Sequence, residues 1–219
     1  MNPGGSLLVA SKNPGKVREI REILALPGVS LLSLADVPGL PDCEEPGDTF
    51  AANARVKSEF YSHLTGLPTL GDDSGLEVDA LGGAPGVRSA RYAGPGASDA
   101  DRITKLLAEL AARPGAARTA RFVCAVSLAE GGRELFAARG TCEGVITESP
   151  RGGNGFGYDP VFQADGTGLT YAELPDADKN ALSHRGRALA RLRDYLLTVT
   201  SSGGKETRAA GPHPSRRRV

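Results

Sequence analysis

The sequence predicts a mixed α/β domain, and three observations carry that prediction. Short apolar runs alternate with segments whose apolar residues recur at helical spacing, two long strand-like runs meet across Gly131-Gly132, and no internal repeat breaks the alternation. Leu7 to Ala10 is the first apolar run; the polar stretch Ser11-Lys12-Asn13-Pro14-Gly15-Lys16 follows, then Val17, Ile20, Ile23 and Leu24 at helical spacing. This reads as strand, loop, helix. A second strand from about Val29 to Leu34 leads into a Pro/Gly-rich loop carrying Glu44 and Glu45, after which Asp48 or Thr49 caps a helix through about Leu64.

Leu67 to Leu70 is a brief run containing Pro68. Gly71-Asp72-Asp73-Ser74-Gly75 then reads as a polar loop, and Leu76 to Val78 as another short strand. Ser98 or Asp99 caps a helix bearing Ile103, Leu106, Leu107 and Leu110, which stops at Arg113-Pro114-Gly115. Ala120 to Ala129 and Glu134 to Ile146 form the predicted hairpin. A glycine-rich stretch precedes a short strand at Pro160 to Phe162, and a helix opening at Ser183 and carrying Leu189, Leu192 and Leu196 closes the domain. The domain spans 1–200. Residues 201–219, ending in Arg216-Arg217-Arg218, lack apolar periodicity and read as a disordered basic tail.

A chain of 219 residues can bury roughly 70% of its unfolded surface. Its 26 basic residues balance 26 acidic ones, so bulk charge directs it to neither nucleic acid nor a membrane surface, and any anion site must be local. Cys43, Cys124 and Cys142 are odd in number and form no CxxC, which predicts reduced thiols and a cytoplasmic setting. No basic run precedes an apolar stretch at the N-terminus, and no segment approaches the ~18 apolar residues of a membrane span.

Five motifs can carry chemistry. Adjacent carboxylates at Asp72 and Asp73 repel unless a cation neutralises them. Magnesium suits hard oxygen ligands, although Asp, Ser and Gly also make plain turns. Glu44 or Glu45 can add a ligand from a nearby loop, or stay solvated. Ser11 to Lys16 lies where a strand meets a helix N-terminus, a favourable place for phosphate, yet it lacks the Walker pattern. Gly155-Phe156-Gly157-Tyr158-Asp159-Pro160 sets aromatics beside sharp turns, for stacking a base or for plugging the core. Ser183-His184-Arg185-Gly186, with Lys179 upstream, offers directed donors for carbonyl or phosphate oxygens, or decorates a surface. No GxSxG elbow supports a serine hydrolase.

In order and spacing, from about Leu7 to Leu197, these motifs together with Gly82-Gly83-Ala84-Pro85-Gly86-Val87 and Ser89-Ala90-Arg91-Tyr92 resemble the noncanonical purine nucleoside triphosphate pyrophosphatases, the Ham1-like family. The resemblance implies an elongated mixed sheet flanked by helices, two lobes with an active-site cleft between them, a homodimer, and magnesium-dependent cleavage of dITP, ITP and XTP to the monophosphate and pyrophosphate. It implies Asp73 as catalytic base and metal-associated carboxylate, with Asp72, Glu45 and less directly Glu44 as metal contributors. Ser74 would touch substrate, and Ser11, Lys12, Asn13, Pro14, Gly15, Lys16 and Lys57 would hold the triphosphate. Phe156, Gly157, Tyr158, Asp159, Lys179, His184 and Arg185 would form the base pocket. A 6-oxo purine offers an acceptor where adenine offers an amino donor, so donors from His184 or Arg185 would favour the former. The chain departs from the family pattern in its tail and at Asn154, where glycine is common. A nucleotide sensor without turnover and a Maf-like pyrophosphatase are the competing readings.

Overall fold

A computed structural model describes residues 5–202. Its centre is a six-stranded mixed sheet in the order β2-β1-β3-β4-β5-β6. The strands are β1 (Ser6–Val9), β2 (Ser30–Ser33), β3 (Thr69–Val78), β4 (Thr119–Glu130), β5 (Arg133–Ile146) and β6 (Phe162–Ala164). β1 runs parallel to β2 and β3, whereas β3 to β6 are mutually antiparallel. The helices are α1 (Pro14–Leu24), α2 (Phe50–Thr65), α3 (Asp99–Ala111), α4 (Asp176–Leu182) and α5 (His184–Ser202).

Local chemistry accounts for the helix ends. Asn13 accepts from Lys16 N at 3.1 Å and Pro14 occupies the first turn of α1, where its missing N–H costs nothing. Thr49 caps α2 through Ala52 N and Gly66 closes it at φ 70°. Ser98 and Asp101 form a reciprocal capping box at α3.

The predicted polar loop at Asp72 and Asp73 does not exist. Thr69 to Val78 is one unbroken strand, paired with β4 from Thr69↔Ala129 to Val78↔Ala120. Gly71 and Gly75 misled the reading, because neither has a positive φ. They are small so that other backbone can approach: a Cβ on Gly71 would lie 2.0 Å from the Ala54 carbonyl oxygen of α2, and one on Gly75 2.6 Å from that of Gly86. Two smaller corrections follow. Asp159–Val161 forms a 3-10 turn, so the last strand begins at Phe162, and α4 fills part of the segment before α5 for which no element is predicted. α5 runs through Ser202, past the expected boundary at 200, and residues 203–219 with Arg216 to Arg218 lie outside the described residues.

Side-chain alternation sorts the strands into two faces. On one face Leu7, Leu70 and Leu128 pack with Ile20 of α1 and Leu189 and Leu192 of α5. Further along that face Leu76, Val78 and Phe122 pack with Leu106 of α3, Phe162 and Tyr171. On the opposite face Val123 and Ala125 meet Phe50 and Ala54 of α2. The first two clusters are separate, and the positions of β3 between them are Asp72 and Ser74. There the polar site is built.

Candidate active site

β1 accompanies β3 only as far as Leu8↔Thr69 and Val9↔Leu70, with Ala10 N donating to Leu70 O at 2.8 Å. Past that point the strands part, leaving the edge of β3 at Asp73 to Gly75 open to a cavity of about 530 Å³. Such a splay at the carboxyl end of a parallel strand is a recurrent place for ligands. The cavity is lined by Ser11, Lys12, Asn13 and Lys16 from the β1–α1 turn, Glu45 and Lys57 from the α2 side, and Asp73 and Ser74. Phe156, Gly157, Tyr158, Asp159, Lys179, His184 and Arg185 line it as well. Four of the expected site residues stand back from it. Pro14 opens α1, and Gly15 lies under the Phe156 ring, where a Cβ would come within 2.5 Å. Asp72 is 1% exposed behind the strand, and Glu44 faces solvent.

The strand sends Asp72 and Asp73 to opposite faces, so the two carboxylates do not converge on one point. Asp72 Oδ1 meets Lys16 Nζ at 2.8 Å, while its Oδ2 accepts from Arg185 Nε at 3.0 Å and Cys124 Sγ at 3.1 Å. Ser74 Oγ accepts from Arg185 Nη2 at 2.8 Å. Beyond Arg185 the charges continue to alternate: its Nη1 donates to Glu19 Oε2, and Lys179 Nζ lies 2.7 Å from Glu19 Oε1 and 2.6 Å from Asp159 Oδ2. Lys16, Arg185 and Lys179 thus balance Asp72, Glu19 and Asp159 in a row between the two apolar clusters, buried except at Lys16, which reaches the cavity.

The energetics of that row follow from burial and pairing. Burial alone would raise the Asp72 and Glu19 carboxyls, but their cations outweigh it and hold both below the ordinary range, Asp72 well below. Burial would lower Lys179, yet Asp159 and Glu19 push it up. For Asp159 burial wins over Lys179 and the carboxyl is raised. The Phe156 ring roofs the row, 5.1 Å from Lys179 Nζ and 5.8 Å from the Arg185 guanidinium carbon.

On the other face Asp73 Oδ2 accepts from Asn53 Nδ2 at 3.1 Å. Lys57 Nζ sits 3.7 Å from Asp73 Oδ1, 2.8 Å from Glu45 Oε2 and 2.7 Å from the Asp72 carbonyl oxygen. Burial raises the Asp73 carboxyl, and Lys57, Lys16 and Asn53 offset it only in part. Two neighbouring residues therefore have opposite proton affinities.

His184 stacks on Phe122 at 4.7 Å and 10°. Burial and the nearby Arg185 hold its pKa well below the ordinary value, so the ring is neutral, and Nδ1 is buried without a partner among the described residues. Phe156 and Tyr158 divide the two roles left open for them: Phe156 is half-buried at the cavity wall, and Tyr158 is 3% exposed in the core with its hydroxyl donating to Ser89 O at 3.0 Å. Asn154 tethers the loop by donating to Leu174 O at 3.3 Å.

Sequence reading missed Glu19, Asn53 and Cys124. Glu19 lies one helical turn after Lys16, so the i, i+3 spacing carried a signal that the apolar stripe on α1 masked. Nothing in the sequence marks Asn53 or Cys124.

The Ham1 family matches residues 7–195. A dITP/XTP pyrophosphatase of Geobacter sulfurreducens is 53% identical over 190 residues, which cover 87% of this chain and 96% of that protein. One of Geobacillus kaustophilus is 49% identical over 199 residues, 91% of this chain and 98% of that protein. Among solved structures, a HAM1 protein from Coxiella burnetii superposes with a TM-score of 0.81 at 43% identity, covering 88% of this chain and 98% of the other. The dITP/XTP pyrophosphatase from Mycobacterium abscessus gives 0.69 at 46% identity, covering 85% and 98%. A match spanning both apolar clusters and every side of the cavity places this chain in the Ham1 family.

Proposed function

We propose that this chain hydrolyses dITP, ITP and XTP to the nucleoside monophosphate and pyrophosphate, removing noncanonical purines from the nucleotide pool. The observation that carries the reading is the cavity itself, which brings together Lys12, Lys16 and Lys57, the Phe156 ring, neutral His184 and Asp73. The lysines and the β1–α1 turn hold the triphosphate, and Ser74 contacts it at the open strand edge. The base lies against Phe156, with Gly157, Tyr158, Asp159, Lys179 and Arg185 shaping its pocket.

Asp73 accepts the proton of a water that attacks a phosphorus of the α–β bridge; the new O–P bond forms as the bridging bond breaks and pyrophosphate departs. Asp73 suits the task because burial raises its carboxyl and with it the affinity for the proton it takes from water. Lys16 and Lys57 stabilise charge on the leaving group. Asp73 and Glu45 already face a common cation, the Lys57 ammonium, and both supply hard oxygen. Among the described residues no cluster of three or more His, Cys, Asp or Glu is assembled for a metal. A magnesium ion would therefore take Asp73 and Glu45 and complete its shell with water and substrate phosphates. Held there, it would supply polarisation of the phosphoryl group and neutralisation of charge. Asp72 has both oxygens engaged and anchors Lys16 and Arg185 instead.

A neutral His184 carries a single ring N–H, which pairs with a 6-oxo group and is left facing the 6-amino group of adenine. Leaving it unpaired disfavours ATP by ~1–3 kcal/mol. We further propose a cytoplasmic homodimer; among the described residues no helix is long and apolar enough to cross a membrane. Incubation with magnesium and ITP, XTP, GTP or ATP, with products separated, tests the function. Monophosphate and pyrophosphate should come from ITP and XTP and far less from ATP. Orthophosphate release, or equal turnover of all four, would overturn it.

A further inference from the structure

The loop that carries Phe156 is held residue by residue, and one of its holds comes from α3. Phe156 N donates to Asp159 Oδ2 at 2.8 Å, within the loop itself. Tyr158 hydroxyl donates to Ser89 O. Between them Gly157, at φ +64°, turns its amide outward and donates to Asp99 Oδ2 at 2.7 Å. Asp99 is the first residue of α3, and its other oxygen pairs with Arg102 one turn on.

Arg102 completes a circuit. Its Nη1 donates to Ala90 O at 2.9 Å and Ala97 O at 2.7 Å, and Ala90 follows the Ser89 that receives the Tyr158 hydroxyl. The path from Gly157 through Asp99 and Arg102 to Ala90 closes on itself through Ser89 and Tyr158. Asp99 and Arg102 both border the cavity. Arg102 fixes the orientation of the Asp99 carboxylate, and a charge-assisted bond to a backbone N–H is among the stronger kinds.

We infer that Asp99, oriented by Arg102, is a positioning residue for base selection: it holds Gly157, and with it the Phe156 ring and Tyr158, in the orientation that receives the purine. This rests on the proposed function and adds to it a residue that touches neither the phosphates nor Asp73. A loose aromatic wall weakens base recognition while leaving the hydrolytic apparatus on β3 and α2 intact. The ring stands over Lys179 and Arg185, so freeing Gly157 also loosens the roof over those charges.

The test compares Asp99→Ala, Asp99→Ser and Asp99→Asn in the full chain. The Ala and Ser side chains do not reach Gly157, whereas Asn can offer its one carbonyl oxygen to Gly157 at the loss of the Arg102 contact. None removes the Ser98–Asp101 capping box. Amide hydrogen exchange at Gly157 reads the latch without turnover, and steady-state kinetics with ITP and ATP read its consequence. In Asp99→Ala we expect Gly157 exchange and the KM for ITP each to rise about tenfold, the worth of one such bond. We expect kcat within about twofold, a lower preference for ITP over ATP, and a KM for Asn between those of Ala and wild type. Asp99→Ser carries the same test if the Ala variant does not fold. Unchanged exchange, or unchanged KM in a folded variant, overturns the inference, as does loss of kcat and KM together without rescue by Asn. Failure of the proposed function is read separately, as a wild-type protein that releases no pyrophosphate from ITP or XTP.

Discussion

Asp72 and Asp73 are neighbours in the chain but serve different faces of β3, and their environments push their carboxyls in opposite directions. Their substitutions should therefore separate. Asp73→Asn removes the proposed base and leaves Asn53 a side-chain acceptor, so pyrophosphate release should fall roughly 100- to 10,000-fold with little change in the urea midpoint. Asp72→Asn strips the carboxylate from the fully buried Arg185 and from Lys16. Removing one member of a buried ion pair costs about 3–5 kcal/mol, and the retained Glu19 contact puts this case at the low end. That loss should be visible in urea unfolding without substrate. If Asp72→Asn were as stable as the parent, the buried charge row would not be the anchor described above.

β3 joins the two cores and carries the open edge, so its close approach to α2 is where an added atom should matter most. A Gly71→Ala methyl meets backbone at Ala54 and cannot be relieved by a side-chain rotation. Forcing α2 outward should cost about 1–3 kcal/mol and lower turnover as well, because Asn53 and Lys57 ride on the same helix. Gly153→Ala is the matched control: its added Cβ meets nothing within 4 Å and its φ is not positive. Thermal unfolding and pyrophosphate release should distinguish the pair, with the control indistinguishable from wild type.

Across the whole molecule the buried titratable groups set how stability varies with pH. His184 is held neutral in the folded state with a pKa well below its ordinary 6.5, so below that value the unfolded chain binds the extra proton. Stability should fall as pH drops from about 6.5 toward the depressed folded value. The depressed carboxyls of Asp72 and Glu19 contribute stability above the ordinary carboxylate range, and it is lost as pH falls through their lower folded values. The raised carboxyls of Asp73 and Asp159 act in the opposite sense. His184 by itself therefore contributes a decline in the urea midpoint between pH 7 and 5, and His184→Gln should remove that component whatever its effect on absolute stability. A pH dependence left unchanged by His184→Gln over that interval would contradict a buried neutral histidine.

The periodicities of α1, α2, α3 and the β4–β5 hairpin were legible because each is a local pattern: apolar spacing, a cap, a turn. The cavity's contributors were legible as motifs for the same reason, since the β1–α1 turn and the Gly155–Asp159 loop carry their backbone requirements in their own residues. Asp72 and Asp73 were not. Gly-Asp-Asp-Ser-Gly satisfies the local rules for a turn, and only pairing along the whole of β4 and the approach of α2 and Gly86 make it a strand. Glu19 meets Lys179 and Arg185 from more than 150 positions away. Charge pairing over such separations depends on where α1, α4 and α5 come together. The chemistry on offer was thus written in the chain, while the assignment of one carboxylate to the buried charge row and its neighbour to the cavity came from the alternation of a strand that tertiary contacts created.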